Sequence, residues 1–301
     1  MSAGSTQWSA TAVVFAAAMF AGRCGNAPGS FDGDGVQMLF PSAPGSGFWL
    51  GSSDPNTTSH FAIEQGTKAV AGSEGAIRFW NIPSYPFNYA SGGSGWTSRL
   101  HLHASGGTQQ QFTWKTQSGY LYSPADVRNQ EFTVFARAHR ILDPARAALT
   151  LKIRGGAHTS SNGDLASCIM LTLHPAGVGY VTRFGKELFH PDYDYLQLTP
   201  RFDAALTDGA WVGMKMVSYS VAGRSDQVVN RLYLDSDPFD PATGKPRNGW
   251  RLFSEYVDVE GQSTGRYSKL ADWGGWQTTF RTDGIHDLDF AIISVREIVP
   301  P

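Results

Sequence analysis

Cysteine is scarce in this 301-residue chain: Cys24 and Cys168 are the whole supply. Two cysteines exclude the multi-bridge framework that staples small secreted domains. Charge is sparse too, at 17% of residues, and shows no basic excess: the net charge is −2 and the pI about 6.4. Such a balance gives a nucleic-acid partner no electrostatic support. No amphipathic pattern of helical period persists for a dozen residues beyond the first thirty, so a helical bundle is excluded. No fixed-period repeat appears, which excludes a solenoid or propeller, and no low-complexity linker follows about residue 30. The apolar run ATAVVFAAAMFAG at 10–22 is too short to span a bilayer comfortably.

That run has signal-peptide length, with small residues after it, so residues 1–27 read as a signal peptide cut after Ala27. No Lys or Arg precedes the run, and Arg23 before Cys24 spoils a lipoprotein cleavage box. The expectation is a secreted protein, extracellular or periplasmic, with no membrane attachment once the leader is gone. Residues 28–301 then form a single domain. A Cys24–Cys168 bridge would need the leader retained. Asn56-Thr57-Thr58 is a formal glycosylation sequon, meaningful only in a eukaryote.

What the chain does have is glycine (34), proline (16) and many short alternating segments between turn formers. Strands are expected at 36–40, 76–81, 97–103, 110–116, 131–139, 149–154, 166–174, 178–184, 211–219, 228–234, 251–258, 277–281 and 288–296, with a single helical turn at 203–206. Many short strands with regular turn signals predict an all-β fold, an antiparallel β-sandwich or barrel.

Several strands pair an apolar face with one bearing cations, histidine, glutamine and tyrosine. In ALTLKIRGGAH, Leu151 and Ile153 face a core while Lys152 and Arg154 face the other way. The strand then breaks at Gly155-Gly156, before His158, and a double glycine lets a ligand approach the backbone closely. TSRLHLH puts Arg99, His101 and His103 on one face. Gln111, Lys186, His190, Tyr193 and Tyr195 follow the same chemistry, as do Lys215 with Tyr219 and Arg231 with Tyr233. A solvated sheet face alternates in the same way. The cationic and aromatic composition of this one, in a slightly acidic protein, points to an acidic or polyhydroxylated ligand.

This pattern resembles the concanavalin A-like β-jelly rolls, and within them the polysaccharide lyases that act on alginate or glucuronan. The likeness spans about residues 35–298 in layout. One lyase strand reads R-S/T-E-L-R; here RLHLH from Arg99 to His103 keeps the arginine and lacks the glutamate. Another reads Q-I/V-H, with Lys152-Ile-Arg154 or the run from Arg154 to His158 in the corresponding place. The third, Y-F-K-A-G-x-Y-x-Q, has no good copy.

The resemblance implies β-elimination beside a uronate carboxylate. Arg154, Lys152 or Gln111 would neutralise the carboxylate, and His158 or His103 would take the C5 proton as a neutral imidazole. Tyr193 or Tyr195 would protonate the leaving oxygen. Two other classes compete. A retaining glycoside hydrolase needs two carboxylates about 5 Å apart; EYVDVE offers Glu255, Asp258 and Glu260, with Glu255 on the opposite strand face unless a bulge intervenes. A carbohydrate-binding protein or lectin would use a stacking platform, for which Trp273-Gly-Gly-Trp276, Trp250 and Tyr267 are candidates. The expected partner in every case is a polysaccharide, probed first as an acidic one. No cofactor is required; Asp235, Asp237 and Asp240 could hold a structural calcium, or serve only as turn residues.

Overall fold

The structure, a computed structural model, describes residues 30–43, 54–57, 60–89, 92–104, 126–156, 168–177, 182–189, 192–197, 205–262 and 265–301. The leader, the sequon's Thr58, the strand expected at 110–116, Gln111, His158 and His190 lie outside the described residues.

Among the described residues the strands form two antiparallel sheets packed face to face, the β-sandwich of jelly-roll type expected from the sequence. In the first, β1 (Phe61–Ile63) and β4 (Tyr85–Asn88) pair in tandem along one edge of β5 (Ser94–His103). The order continues through β14 (Gln277–Asp283), β7 (Ala148–Gly155), β8 (Cys168–Leu173), β9 (Thr182–Phe189) and β10 (Asp192–Gln197). The second runs β13 (Arg251–Val259), β12 (Gln227–Asp235), β11 (Trp211–Ser220), β6 (Gln130–Ile141), β15 (Ile285–Glu297), β3 (Ile77–Ile82) and β2 (Val70–Glu74).

Period-two alternation builds the core. Leu100 and Leu102, Leu149, Leu151 and Ile153, Ile169 and Leu171, and Phe280 point inward from the first sheet. They meet Phe132 and Val134, Met214 and Met216, Leu232, Phe290 and Ile293 from the second. Each such side chain contributes on the order of 1.5–3 kcal/mol by leaving water. Sequence and structure differ at the margins. Residues 36–40 make only an isolated bridge between Phe31 and Gln37. Of the turn expected at 203–206, residues 203–204 lie outside the described residues, and Leu206 forms a bridge with Pro175.

The outer face of the second sheet is covered by residues 30–43 and the loop between β12 and β13. Val36 and Phe239 pack there on Phe135, and Leu39 and Phe40 lie against Val217 and Tyr219. This leaves the outer face of the first sheet as the place where polar side chains gather.

Candidate functional site

On that face the alternation of six adjacent strands aligns one polar row per strand. β5 supplies Arg99, His101 and His103; β14 supplies Gln277, Thr279, Arg281 and Asp283; β7 supplies Lys152; β8 supplies Cys168; β9 supplies Arg183 and Glu187; and β10 carries Tyr193 and Tyr195. Register fixes their neighbours: His101 stands opposite Thr279, which stands opposite Lys152, and Cys168 opposite Glu187. A small open pocket is lined by Arg99, His101, Lys152, Gly155, Gly156, Cys168, Gln277, Thr279 and Arg281.

The polar groups are held by one another. Lys152 Nζ donates to Glu187 Oε2 at 2.6 Å, and the Cys168 thiol donates to the same oxygen at 3.3 Å. Arg281 donates to Asp283 at 2.8 Å, and Arg99 to both oxygens of Glu64 at 3.1 and 3.2 Å. His101 Nδ1 lies 2.9 Å from both Thr279 Oγ1 and Gln277 Nε2, and Gln277 Oε1 lies 3.2 Å from His103 Nε2. His103 also stacks on Trp276, ring centroids 4.1 Å apart. Tyr193 and Tyr195 stack at 5.3 Å; the Arg183 guanidinium covers Tyr195 at 3.7 Å, and Lys152 lies 5.7 Å from the Tyr193 ring.

Burial sets the protonation states. It pushes His103 down to about 4, and it also lowers His101, where Glu64 offsets part of the effect. Both imidazoles are therefore neutral at neutral pH. Burial raises the Tyr193 and Tyr195 hydroxyls, which stay protonated. At Glu64 burial works upward, yet the adjacent His101 ring and the charge of Arg99 prevail and hold the carboxyl at about 2. Burial opposes the Lys152 charge, but the Glu187 carboxylate 2.6 Å away more than restores it, so its pKa is raised. Burial drives the Cys168 thiol up as well, against the pull of Lys152. This thiol is expected to react with iodoacetamide at least roughly tenfold more slowly in the folded protein than in urea. Peptide mass spectrometry would read it, and equal rates would refute the buried, protonated state.

Other residues expected at the site lie elsewhere. Arg154 was expected to share a face with Lys152, but a bulge sets Ile153 and Arg154 of β7 against Thr278 alone, and Arg154 takes φ 54°. Its side chain turns into the sandwich, donating to Ser218 Oγ at 3.1 Å and Trp273 O at 3.0 Å. Lys186 sits on the core face of β9, between Phe184 and Leu188. It donates to Asp258 at 2.9 Å and to the carbonyls of Tyr267 and Lys269. Lys215, Arg231 and Tyr233 belong to the opposite, covered side of the sandwich. Lys215 donates there to Glu131 and Thr133, both at 2.7 Å, and Arg231 to Glu255 at 2.6 Å, while Tyr233 joins an apolar cluster.

The competing constellations are altered in the same way. Glu255 and Asp258 point to opposite sides of β13, one toward Arg231 and the other toward Lys186, so they do not form a hydrolase pair. Trp273 and Trp276 are buried, at 1% and 2% exposure, and the Trp-Gly-Gly-Trp loop folds over the core edge rather than offering a platform. The three aspartates considered for calcium hold the turns of the loop between β12 and β13. Asp235 accepts from the backbone of Asp237 and Gly249, Asp237 pairs with Arg247, and Asp240 caps Ala242 and Thr243. No group of three or more metal-ligating acids, histidines or cysteines occurs among the described residues. No helix among them is long and apolar enough to cross a membrane.

Sequence reading missed Gln277, Thr279, Arg281 and Glu64. The first three had a signal, because QTTFRTD alternates around Phe280 just as TSRLHLH alternates around Leu100. Glu64 had none: it reaches the site from a short turn 35 residues before Arg99.

No protein-family model matches this sequence, and no curated protein does. Among solved structures, the chain is similar to the endo-β-1,4-glucuronan lyase of the fungus Trichoderma reesei, with 12% identity, TM-score 0.47, and coverage of 84% of this chain and 95% of that one. It is similar to the PL-14 alginate lyase of Aplysia kurodai at 7% identity and TM-score 0.43, covering 85% and 99%. It is also similar to the Ca2+-bound exoplasmic/lumenal domain of VIP36 at 8% identity and TM-score 0.42, covering 80% and 85%. At such identities these likenesses assign no residue role and no substrate.

Proposed function

We propose that this protein is a secreted polysaccharide lyase that cleaves an acidic, uronate-containing glycan by β-elimination on the outer face of the first sheet. One observation carries the reading. Arginine, lysine and glutamine side chains line the same pocket as a neutral imidazole, with a protonated tyrosine beside them.

Elimination has three requirements. The uronate carboxylate must be neutralised so that the C5 proton becomes acidic; Arg281, Arg99 and the Gln277 amide supply charge-assisted hydrogen bonds for this. A base must take that proton, and His101 is neutral and lines the pocket. The leaving oxygen at C4 must gain a proton, which the Tyr193 hydroxyl can give. The C5–H and C4–O bonds break, a C4–C5 double bond forms, one proton passes to His101 and one leaves Tyr193. His158, Gln111 and His190 belong to the same reading, as a further base and ligand contacts. Lys152 and Tyr195 would contact neighbouring sugar units.

The test is ultraviolet absorbance during incubation with glucuronan, alginate and neutral glucans, with reducing ends assayed in parallel. Elimination creates a conjugated unsaturated uronate at each cut, so the two signals should rise together on a polyuronate. Reducing ends without absorbance would mean hydrolysis. Binding without either signal would leave a carbohydrate-binding protein, which the existing pairing of Arg99, Lys152 and Arg281 with carboxylates would then suit.

A further inference from the structure

Glu64 plays no part in the three steps above, yet it is the carboxylate nearest the imidazoles. It opens the turn Glu64–Gly66 directly after edge strand β1, and Gln65 behind it takes φ 65°, turning the chain away at once. Its Oε2 lies 3.1 Å from Arg99 NH1 and 3.6 Å from His101 Nε2. Beyond His101 the contacts continue without a break: Gln277 Nε2 to His101 Nδ1 at 2.9 Å, and Gln277 Oε1 to His103 Nε2 at 3.2 Å.

This chain of contacts has two self-consistent settings. In one, the Gln277 amide nitrogen donates to His101 Nδ1 and its oxygen accepts from His103 Nε2–H. With the amide turned over, its oxygen would accept from His101 Nδ1–H and its nitrogen would donate to a bare His103 Nε2. Taken alone, the amide and the two rings have little to choose between them. Glu64 breaks the tie. The carboxylate is held ionised by Arg99 and can only accept, so it favours a proton on His101 Nε2 and a lone pair on Nδ1. Gln277 must then donate to Nδ1, and its oxygen takes the proton of His103 Nε2. His103 Nδ1 is left unprotonated, and no described residue hydrogen-bonds to it.

We propose that Glu64 is a positioning residue that sets the tautomers of both His101 and His103, acting directly on the first and through the Gln277 amide on the second. The consequence for catalysis rests on the elimination reading; the tautomer assignment does not. Each imidazole then carries its lone pair at Nδ1: that of His103 is buried, and that of His101 faces β14 and is held by the Gln277 amide, which would have to move from it to a uronate carboxylate before His101 could act as a base. Positioning by a third group is the general logic of base activation.

The test is nitrogen-15 NMR of the histidine rings in the full chain, wild type against Glu64→Gln. In the wild type both rings should show the Nε2–H tautomer alone. A glutamine in place of Glu64 can donate or accept, so the variant should show both rings as tautomer mixtures changing together. Glu64→Asp, whose carboxylate still offsets Arg99 but ends one methylene short of His101, should give the same mixing, and it keeps the test open if Glu64→Gln fails to fold. Kinetically, Glu64→Gln should lower kcat at least about tenfold with KM nearly unchanged, as expected where a group acts through the base and not on the substrate. Single, unchanged tautomers in both variants would overturn the proposal, as would an Nδ1–H tautomer for wild-type His101. Absence of turnover by the wild type on every polyuronate would refute the elimination reading while leaving the NMR result to decide the role of Glu64.

Discussion

Replacing His101 by asparagine should lower the rate of elimination by about 10²–10⁴-fold, the usual contribution of a positioned general base. In free energy of activation that is about 3–5 kcal/mol. The fold should survive. The ring stands on the outer face of β5 while Leu100 and Leu102 hold the core side, and asparagine can still hydrogen-bond Thr279 and Gln277. The pH profile follows from the same groups. Activity needs a neutral imidazole, so it should fall as pH drops through the His101 pKa, which burial places below the ordinary 6.5. It also needs a protonated Tyr193, so it should fall on the alkaline side only above the ordinary 10. Stopped-flow absorbance on the most active polyuronate measures both limbs. A variant retaining more than about a tenth of the wild-type rate would remove His101 as the base. His103 and His158 would then be the next candidates.

Gly275→Ala should unfold or severely destabilise the protein, by on the order of 3–5 kcal/mol. A Cβ at this position would stand 2.2 Å from the carbonyl carbon of Arg154, 2.4 Å from its Cα and 2.4 Å from the nitrogen of Gly155. All three are backbone atoms, so no rotamer change relieves the contact. They belong to the bulge of β7, which is locked from both directions: Trp273 Nε1 donates to Arg154 O at 2.7 Å, and the Arg154 guanidinium donates back to Trp273 O. Gly275 itself exchanges two backbone hydrogen bonds with Val127, so the loop cannot simply lift away. Gly33→Ala is the control, since nothing lies within 4 Å of a Cβ there. Urea midpoints for the two variants would decide the matter, and equal midpoints would show that the loop yields. Because Gly155 and Gly156 line the pocket, a partly folded Gly275→Ala protein should also lose ligand binding.

How far the sequence reaches can be followed along individual strands. β5, β6, β11, β12 and β13 were legible because each alternates strictly and is long enough for the pattern to register. β1, β2, β4 and β10 were not. They are short and stand at sheet edges, and two of them carry the residues that usually argue against a strand, glycine in VAGSE and proline in YPFN. An edge position tolerates both, because one side of the strand has no ladder to break. Arg154 shows a different limit. Its place in the alternation was read correctly, but the count slips by one at the bulge, and the reason lies across the sheet, where a Cβ on Gly155 would meet Gln277 O at 2.7 Å. Lys186 shows a third. Its neighbours Phe184 and Leu188 marked its face as the core side, and what makes a buried lysine tolerable there is an aspartate 72 residues away.

The sequence by itself determined the fold class and the composition of each strand face, because side-chain alternation is a property of a single extended segment and needs no partner. It thereby placed Arg99, His101, His103 and Lys152 on polar faces. Only the tertiary structure decided which polar faces come together. Lys215, Arg231 and Tyr233 alternate just as convincingly, yet their strands pair into the other sheet and are covered by residues 30–43 and the loop after β12. It also decided that Gln277, Thr279 and Arg281 stand between β5 and β7, and that Glu64 meets His101. Those choices rest on strand pairing, bulges and contacts between segments far apart in the chain, and a period of two carries no information about any of them.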